Sequence, residues 1–213
     1  EHVSFEKDGM TKFDFLGKDA VRWEKQIRLP EAVVENMREF MKTAEFSIFE
    51  GVGSQNVSPF LDEVAPGVSA KVFRTYHATK VVDDFLNSSR VAKPDPDYEK
   101  KHLATMANLE AAVICNHKRK PPKKWNESLA KKMERLEKLK AKGTPGALKQ
   151  AKVLQSKMKA IRETRDYNLG TSLKSYIDPR VYYRWGQKVD FNWKLYYPKT
   201  LQKKFSWVEG KTD

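Results

Sequence analysis

The feature that most constrains the fold is a pair of apolar repeats between residues 123 and 166. In each repeat, apolar side chains recur every three or four residues, which places them on one face of an α-helix. The repeats are Leu129, Met133 and Leu136, followed by Ala147, Ala151, Leu154, Met158 and Ile161. Between them stands Gly143-Thr144-Pro145-Gly146, a sequence that breaks helices. The pattern predicts an antiparallel coiled-coil hairpin that forms a basic linker over residues 123–166.

Positive charge is concentrated in and around this hairpin. Between Lys118 and Asp166 there are 17 Lys or Arg and 5 Asp or Glu, so this stretch carries +12 of the chain's net charge of +13. Because a helix with a thin apolar seam buries little surface, we expect the hairpin to project from the core as a flexible arm. A strongly basic surface favours a polyanionic partner, and nucleic acid is the leading candidate. A solvated spacer and a DNA-contacting element are both compatible with the charge run.

The hydrophobic period changes at Pro30. Residues 2–30 alternate apolar and polar side chains, with turn signals at Asp8-Gly9 and Gly17-Lys18-Asp19, so they predict a small antiparallel sheet. Apolar residues after Pro30 follow a helical period, and the proline suits the first turn of a helix. We therefore predict a mainly α-helical protein with an N-terminal β element over residues 2–30. Its predicted parts are a core of residues 1–122, the linker 123–166 and a C-terminal domain 167–213.

Asp-Pro pairs mark two further helix starts, since an aspartate caps a helix and a proline fits its first turn. Asp178-Pro179 begins one helix, which leaves Tyr176 just before it. Asp95-Pro96 begins another, which ends near residue 116 and leaves His117 at its C-terminal end. Arg74 lies within an apolar helix predicted over residues 70–86. The aromatic tail from residue 193 to residue 207 is expected to dock on the core.

Composition excludes several classes of protein. The mean hydropathy is −0.72 and no apolar run approaches 18 residues, so we expect a soluble chain without a membrane-spanning helix. Cys115 is the single cysteine, so an internal disulfide is excluded and a reducing intracellular compartment is expected. The four histidines and the cysteine form no CxxC or HExxH pattern, so we expect neither a metal site nor another cofactor.

Four stretches, taken in order, resemble the eukaryotic and archaeal type IB DNA topoisomerases. They are FDFLGKD at residues 13–19, AKVFRTY at 70–76, CNH at 115–117 and LGTSLKSYIDPR at 169–180. The resemblance extends over nearly the whole chain and includes KPPK at 120–123 and KFSW at 204–207. Each motif alone is weak, whereas the ordered set is specific. It implies the topoisomerase IB and tyrosine-recombinase type of catalytic fold.

The resemblance also implies roles for particular residues. Tyr176 would attack a DNA phosphate and become joined to the 3′ end of the cut strand. Arg74 and His117 would stabilise the negative charge of the transition state, and Lys18 would act as the general acid for the leaving oxygen. The implied reaction is reversible nicking of duplex DNA, which relaxes supercoils by strand rotation without ATP or metal.

Further residues match family positions that contact DNA without selecting a base sequence. These expected DNA-binding residues are Asp19, Arg22, Lys71, Thr171, Ser175 and Lys204. Ser175 departs from the pattern, because the family usually has asparagine before the tyrosine. A second departure is that the family has another catalytic arginine upstream of FLGKD, whereas residues 1–17 contain none. We therefore expect an upstream N-terminal segment, or a separate chain, to supply that arginine and the lobe that closes over DNA.

The same residues also have structural explanations. Tyr176 could simply pack, His117 could favour the dipole of its helix, Arg74 could pair with a carboxylate and Lys18 could be a hydrated turn residue. Two alternative functions follow, namely a tyrosine recombinase and a non-enzymatic basic DNA-binding module. For the topoisomerase, we expect an intracellular protein that lies with chromosomal DNA, in an archaeal nucleoid and cytoplasm or, in a eukaryote, in the nucleus.

Overall fold

The computed structural model describes residues 2–17, 20 and 22–210. The chain divides into two compact units, Glu1–Ala70 and Lys71–Asp213. In the first unit, three antiparallel strands pair in the order β1-β2-β3. The strands and α-helices of this unit are β1 Val3–Phe5, β2 Met10–Leu16, β3 Arg22–Arg28, α1 Glu31–Thr43 and α2 Ser54–Val64, with a short 3-10 helix at Lys7–Gly9.

The sheet confirms the prediction from alternating side chains. Phe13 and Phe15 of β2 both contact the Trp23 ring on β3, with ring centroids 5.8 and 5.2 Å apart. The β1–β2 turn places Asp8 and Gly9 in the left-handed region, at φ 61° and 73°. Glycine is required at the second position because a Cβ there would lie 2.8 Å from the Leu29 carbonyl oxygen.

The second unit is mainly helical in its described residues, with an isolated β-bridge between Lys118 and Tyr167. Its α-helices are α3 Ala70–Asn87, α4 Asp97–Ile114, α5 Trp125–Lys142, α6 Pro145–Glu163, α7 Leu169–Ser175, α8 Pro179–Val189 and α9 Lys199–Lys204. Short 3-10 helices cover Trp193–Leu195 and Ser206–Gly210. The Asp178 carboxylate accepts the backbone N–H of Arg180 at 2.9 Å, so the predicted cap at the start of α8 is present. At the starts of α1 and α4, Pro30 and Pro96 instead stand one residue before the helix.

The core of the second unit forms around one face of α4. Ala104, Ala107 and Ala111 recur on that face and are fully buried. Tyr182 of α8 packs in the same cluster and donates its hydroxyl to the Ala104 carbonyl at 3.1 Å. The aromatic tail docks on this core as predicted, with four of its aromatic side chains in the cluster or packed against it. They are Trp193, Tyr196, Tyr197 and Phe205, and Val208 directly after the tail is buried as well.

One lysine of this unit is buried and hydrogen-bonded to two separate segments of the chain. Lys100 of α4 is 2% exposed, and its Nζ donates to the carbonyls of Lys93 and Asp190 at 2.9 and 3.1 Å. A buried ammonium requires hydrogen-bond acceptors of this kind. The lysine thereby joins the loop before α4 to the C-terminal end of α8.

The hairpin forms as predicted, but the expectation of a projecting arm is wrong for α6. Helices α5 and α6 pack along a seam of their own. Beyond that seam, α6 also packs along α4, where Ser156 donates to the Tyr98 carbonyl at 3.2 Å. His102 of α4 lies 3.6 Å from the Glu163 carboxylate of α6. The apolar repeat in the sequence predicted the face of α6 that packs on α5. The face of α6 that packs on α4 is polar, so no apolar repeat predicted that contact.

In the part of the chain that the structure describes, no helix is long and apolar enough to cross a membrane.

Replacement of glycine by alanine should have opposite effects on the free energy of unfolding at two helical positions. A Cβ at Gly186 in α8 would overlap the Phe191 carbonyl oxygen, which belongs to the backbone and cannot move alone. Gly186→Ala should therefore lower the free energy of unfolding by about 1–3 kcal/mol. Gly146→Ala in α6 meets no atom within 4 Å and should raise it by about 0.5–1 kcal/mol. Urea denaturation measures both changes, and equal effects would contradict this account.

Acid should weaken the packing between α4 and α6. Burial holds the pKa of His102 below its ordinary value, although Glu163 opposes the shift. The neutral form is thus favoured in the fold, so the contribution to stability is full above about pH 6.5 and declines as the pH falls. We expect the free energy of unfolding to decrease less between pH 7 and 5 in His102→Gln than in the unsubstituted chain. His77→Gln, at an exposed position on α3, is the control; equal pH slopes in all three proteins would refute the prediction.

Candidate functional site

The C-terminal end of α4 determines where His117 lies. Asn116 adopts the left-handed conformation at φ 54°. The His117 N–H then donates to the Ala112 carbonyl at 2.8 Å, and the Asn116 N–H donates to the Val113 carbonyl at 3.0 Å. This pair of hydrogen bonds is the Schellman motif, in which the chain reverses directly after the helix. The imidazole is therefore carried on a rigid turn, and asparagine suits the left-handed position.

A hydroxyl from α7 fixes the His117 ring. The Nδ1 atom of His117 lies 2.7 Å from Oγ of Ser172, which is fully buried. The His117 carbonyl also accepts the N–H of Asn168, the cap residue of α7, at 2.7 Å. Backbone and side chain of His117 are thus both bonded to the segment that leads to Tyr176.

Tyr176 follows α7 directly and is held at the backbone on both sides. Its N–H donates to the Ser172 carbonyl at 2.9 Å. Its own carbonyl accepts the Thr79 hydroxyl at 3.3 Å, and the same hydroxyl accepts the Asp178 N–H at 3.1 Å. Thr79 lies on α3, so the tyrosine segment is fastened to the helix that carries Arg74.

Two cations and an imidazole surround the half-buried Tyr176 ring. The Arg74 guanidinium carbon and the Lys71 Nζ lie 5.8 and 5.5 Å from its centroid. The centroid of the His117 ring is 4.9 Å away. Cations at these distances attract the face of an aromatic ring. In the described part of the second unit, no carboxylate pairs with Arg74, so the proposed structural role in an ion pair has no partner there.

Burial and positive charge adjust the titration of the groups around Arg74. The pKa of His117 is lowered, mainly by burial and further by Arg74. Burial raises the pKa of the Cys115 thiol, and Arg74 partly opposes that shift. Neutral imidazole is therefore the favoured form of His117 near neutral pH. The site joins a phenol, a neutral imidazole and two cations, a set that can bind and polarise a phosphate group.

The remaining predicted residues of the second unit lie near Tyr176 in sequence or in space. Thr171 is in the first turn of α7, where its N–H donates to the Asn168 side chain at 3.3 Å. Ser175 is exposed at the end of α7. The Lys204 ammonium donates to the Lys174 carbonyl at 3.2 Å, which brings it to the same helix.

The predicted residues of the first unit are described in part. Lys18 and Asp19 lie outside the described residues. Arg22 begins β3 and forms a bidentate pair with Asp14, with donor–acceptor distances of 2.7 and 2.6 Å. The hydrogen bond from Arg22 lowers the pKa of Asp14. Arg22 is therefore engaged with a neighbouring strand of the sheet.

Three residues that support the site were not among those predicted. Ser172 and Thr79 are connected to His117 and Tyr176 through the tertiary fold. Thr79 belongs to none of the quoted motifs, and Ser172 lies within LGTSLKSYIDPR, where the prediction gave it no role of its own. Asn116 had a usable signal, because asparagine is a frequent residue at the left-handed position that ends a helix. The sequence motif drew attention to its neighbour His117 instead.

Similarity to known proteins gives evidence that is independent of this geometry. The family described as eukaryotic DNA topoisomerase I, catalytic core, matches residues 1–151, and the C-terminal topoisomerase domain family matches residues 148–213. DNA topoisomerase 1 of Homo sapiens is 30% identical over 253 residues, covering 100% of this chain and 33% of the relative. The Drosophila melanogaster enzyme of the same name is 32% identical over 238 residues, covering 100% and 24%. For Caenorhabditis elegans DNA topoisomerase 1 the identity is 29% over 232 residues, covering 98% and 28%.

The chain thus spans about a quarter to a third of the length of these curated relatives. The two family matches together extend over its whole length, and the first covers more than half of it. The chain therefore belongs to the eukaryotic DNA topoisomerase I family.

Proposed function

We propose that this chain carries the catalytic tyrosine of a type IB DNA topoisomerase, an isomerase that nicks, swivels and reseals duplex DNA. The observation that supports this most directly is the group around Tyr176, where Arg74, Lys71 and His117 approach one phenol. Family membership and the excess of basic residues support DNA as the substrate.

The proposed chemistry is a reversible transesterification. The Tyr176 oxygen forms a bond to phosphorus while the bond to the 5′ oxygen of the next nucleotide breaks. The phenolic proton passes to solvent, and Lys18 donates a proton to the leaving 5′ oxygen. One phosphate ester replaces another, so the 3′-phosphotyrosyl intermediate conserves the bond energy and the strand is rejoined without ATP. Strand rotation before rejoining relaxes supercoils.

Arg74 and His117 are proposed to bind the non-bridging oxygens of the phosphate. A guanidinium offers two parallel N–H donors to one phosphate, which suits the charge that grows in the transition state. The neutral His117 ring offers one N–H. The resemblance further assigns a second arginine to a region upstream of the Leu16-Gly17-Lys18-Asp19 turn, and residues 1–17 contain no arginine. We therefore propose that an upstream segment or a separate chain supplies it together with the opposing lobe of a DNA clamp.

Other basic and polar residues are proposed to align the duplex without reading its sequence. Lys71, Thr171, Ser175 and Lys204 would contact the backbone near Tyr176, and Asp19 and Arg22 would line the DNA beside Lys18. Arg22 would have to exchange its Asp14 partner for phosphate. The chain would work on chromosomal DNA, in the nucleus if the host is eukaryotic.

The nucleophile can be tested with a duplex that carries a labelled strand ending a few nucleotides beyond the cut site. We expect a 3′-linked covalent adduct that disappears in Tyr176→Phe, because phenylalanine lacks the attacking oxygen. Tyr183→Phe removes a hydroxyl from α8 in the same unit and serves as the control. Denaturing gel electrophoresis measures the adduct, with and without a polypeptide that carries the family's upstream region.

The outcomes separate the alternatives. An adduct that requires the added polypeptide supports the proposed external arginine, whereas an adduct without it removes that part of the proposal. Salt-dependent binding without an adduct under either condition favours the DNA-binding module. Cleavage restricted to one base sequence, with strand exchange between two sites, favours a tyrosine recombinase.

If Arg74 binds the phosphate through two parallel N–H donors, replacement of its guanidinium should slow adduct formation. Arg74→Lys retains the positive charge but cannot bind one phosphate bidentately, so the rate of adduct formation should fall about 100-fold. DNA affinity should change little, since charge dominates binding to the backbone. Arg90→Lys makes the same substitution at an exposed position beyond α3. A rate for Arg74→Lys within twofold of that control would exclude the proposed role.

A further inference from the structure

The Ser172 hydroxyl has a specific hydrogen-bonding environment. Ser172 is 0% exposed, and its Oγ lies 2.7 Å from Nδ1 of His117. Among the residues that the structure describes, Nδ1 is the hydrogen-bond partner found for this oxygen. A serine hydroxyl carries one proton to donate, whereas a neutral imidazole has one nitrogen that donates and one that accepts. The direction of this single hydrogen bond therefore decides which nitrogen of His117 carries the proton.

Burial favours one direction. If Nδ1 carried the proton and donated to Ser172, the serine's own proton would be left without an acceptor in a buried position. Leaving a buried donor unsatisfied is costly. If the hydroxyl donates to Nδ1, its proton is satisfied and the imidazole proton must be on Nε2. Because the pKa of His117 is lowered by burial, the competing doubly protonated ring is disfavoured as well.

We propose that Ser172 is a positioning residue that holds His117 in the tautomer protonated at Nε2. This inference rests on the proposed function, in which His117 donates to a non-bridging phosphate oxygen. With Nδ1 engaged by Ser172, the donor for that oxygen is the N–H on the opposite side of the ring. The wrong tautomer would present a lone pair to a negatively charged phosphate, so the hydroxyl turns a neutral imidazole into a dedicated donor.

The backbone of Ser172 ties the same residue to the nucleophile. Its carbonyl accepts the N–H groups of Tyr176 and Ile177, at 2.9 and 3.1 Å. Ser172 thus contacts His117 through its side chain and the tyrosine segment through its main chain. Its placement fixes the two groups relative to each other, and substitution of the side chain alone separates the tautomer effect from the backbone effect.

Nitrogen-15 NMR of the histidine rings tests the tautomer directly on the chain itself. With histidine labelled and at pH 8, His117 should show a protonated Nε2 and an unprotonated Nδ1. The signals are assigned by their loss in His117→Gln. In Ser172→Ala the two nitrogen shifts should move toward each other as the tautomers mix. Ser156→Ala removes a partly buried hydroxyl that is hydrogen-bonded elsewhere in the same unit, and it should leave the two shifts unchanged.

A double-mutant cycle tests the consequence for the reaction. Ser172→Ala should lower the rate of adduct formation about 10-fold, the loss expected for one orienting hydrogen bond. On a His117→Gln background the same substitution should cause no further loss, because the imidazole that it positions is gone. Ser172→Cys preserves the shape and a weaker donor, so it should restore part of the rate if Ser172→Ala unfolds the site.

The results distinguish this inference from the proposed function. A His117 ring protonated at Nδ1 in the unsubstituted chain overturns the role of Ser172, whether or not an adduct forms. Equal losses from Ser172→Ala on both backgrounds also overturn it, since they would indicate general destabilisation. If NMR shows the predicted tautomer but no adduct forms with the upstream polypeptide present, the hydrogen bond between Ser172 and His117 is supported. That outcome rejects the proposed reaction instead.

Discussion

The close approach of α7 to α4 is the constraint on which the rest of the second unit depends. The fully buried alanines of α4 place only methyl groups between this helix and its neighbours. Ser172 can then reach the imidazole at the end of α4, and Tyr182 can reach the Ala104 carbonyl. A larger residue at Ala107 or Ala111 would separate the helices by the width of its extra atoms. The geometry around Tyr176 therefore depends on small side chains that carry no reactive group.

Local signals were sufficient for much of the fold. Alternating residues in β2 and β3, the turn at Asp8-Gly9 and the break at Gly143 each act within a few residues, so the sheet and the hairpin could be predicted. The cap at Asp178 is equally local, since a carboxylate two residues from its N–H partner needs no tertiary contact. The placement of Tyr176 just ahead of α8 follows from that cap.

Features that depend on distant residues could not be predicted in this way. Thr79 meets Tyr176 across 97 residues of sequence, and Ser172 meets His117 across 55. A periodic pattern describes one helix at a time and contains no information on which helices become neighbours. The docking of α6 on α4 was missed for the same reason, because polar groups such as Ser156 form part of that contact. The order of the family motifs pointed to the proposed site residues, whereas their supporting contacts required the structure.

The double hydrogen bond at Thr79 has a mechanical consequence. Its hydroxyl joins the carbonyl of Tyr176 and the N–H of Asp178, so the main chain on either side of Ile177 is fastened to α3. In the proposed covalent complex with DNA, tension along the bound strand would pass from the phenol through this short span into a helix of 18 residues. The load would be spread over the packed length of α3. In the proposed reaction, the free end could then rotate while the anchored end stays in register with Arg74 on the same helix.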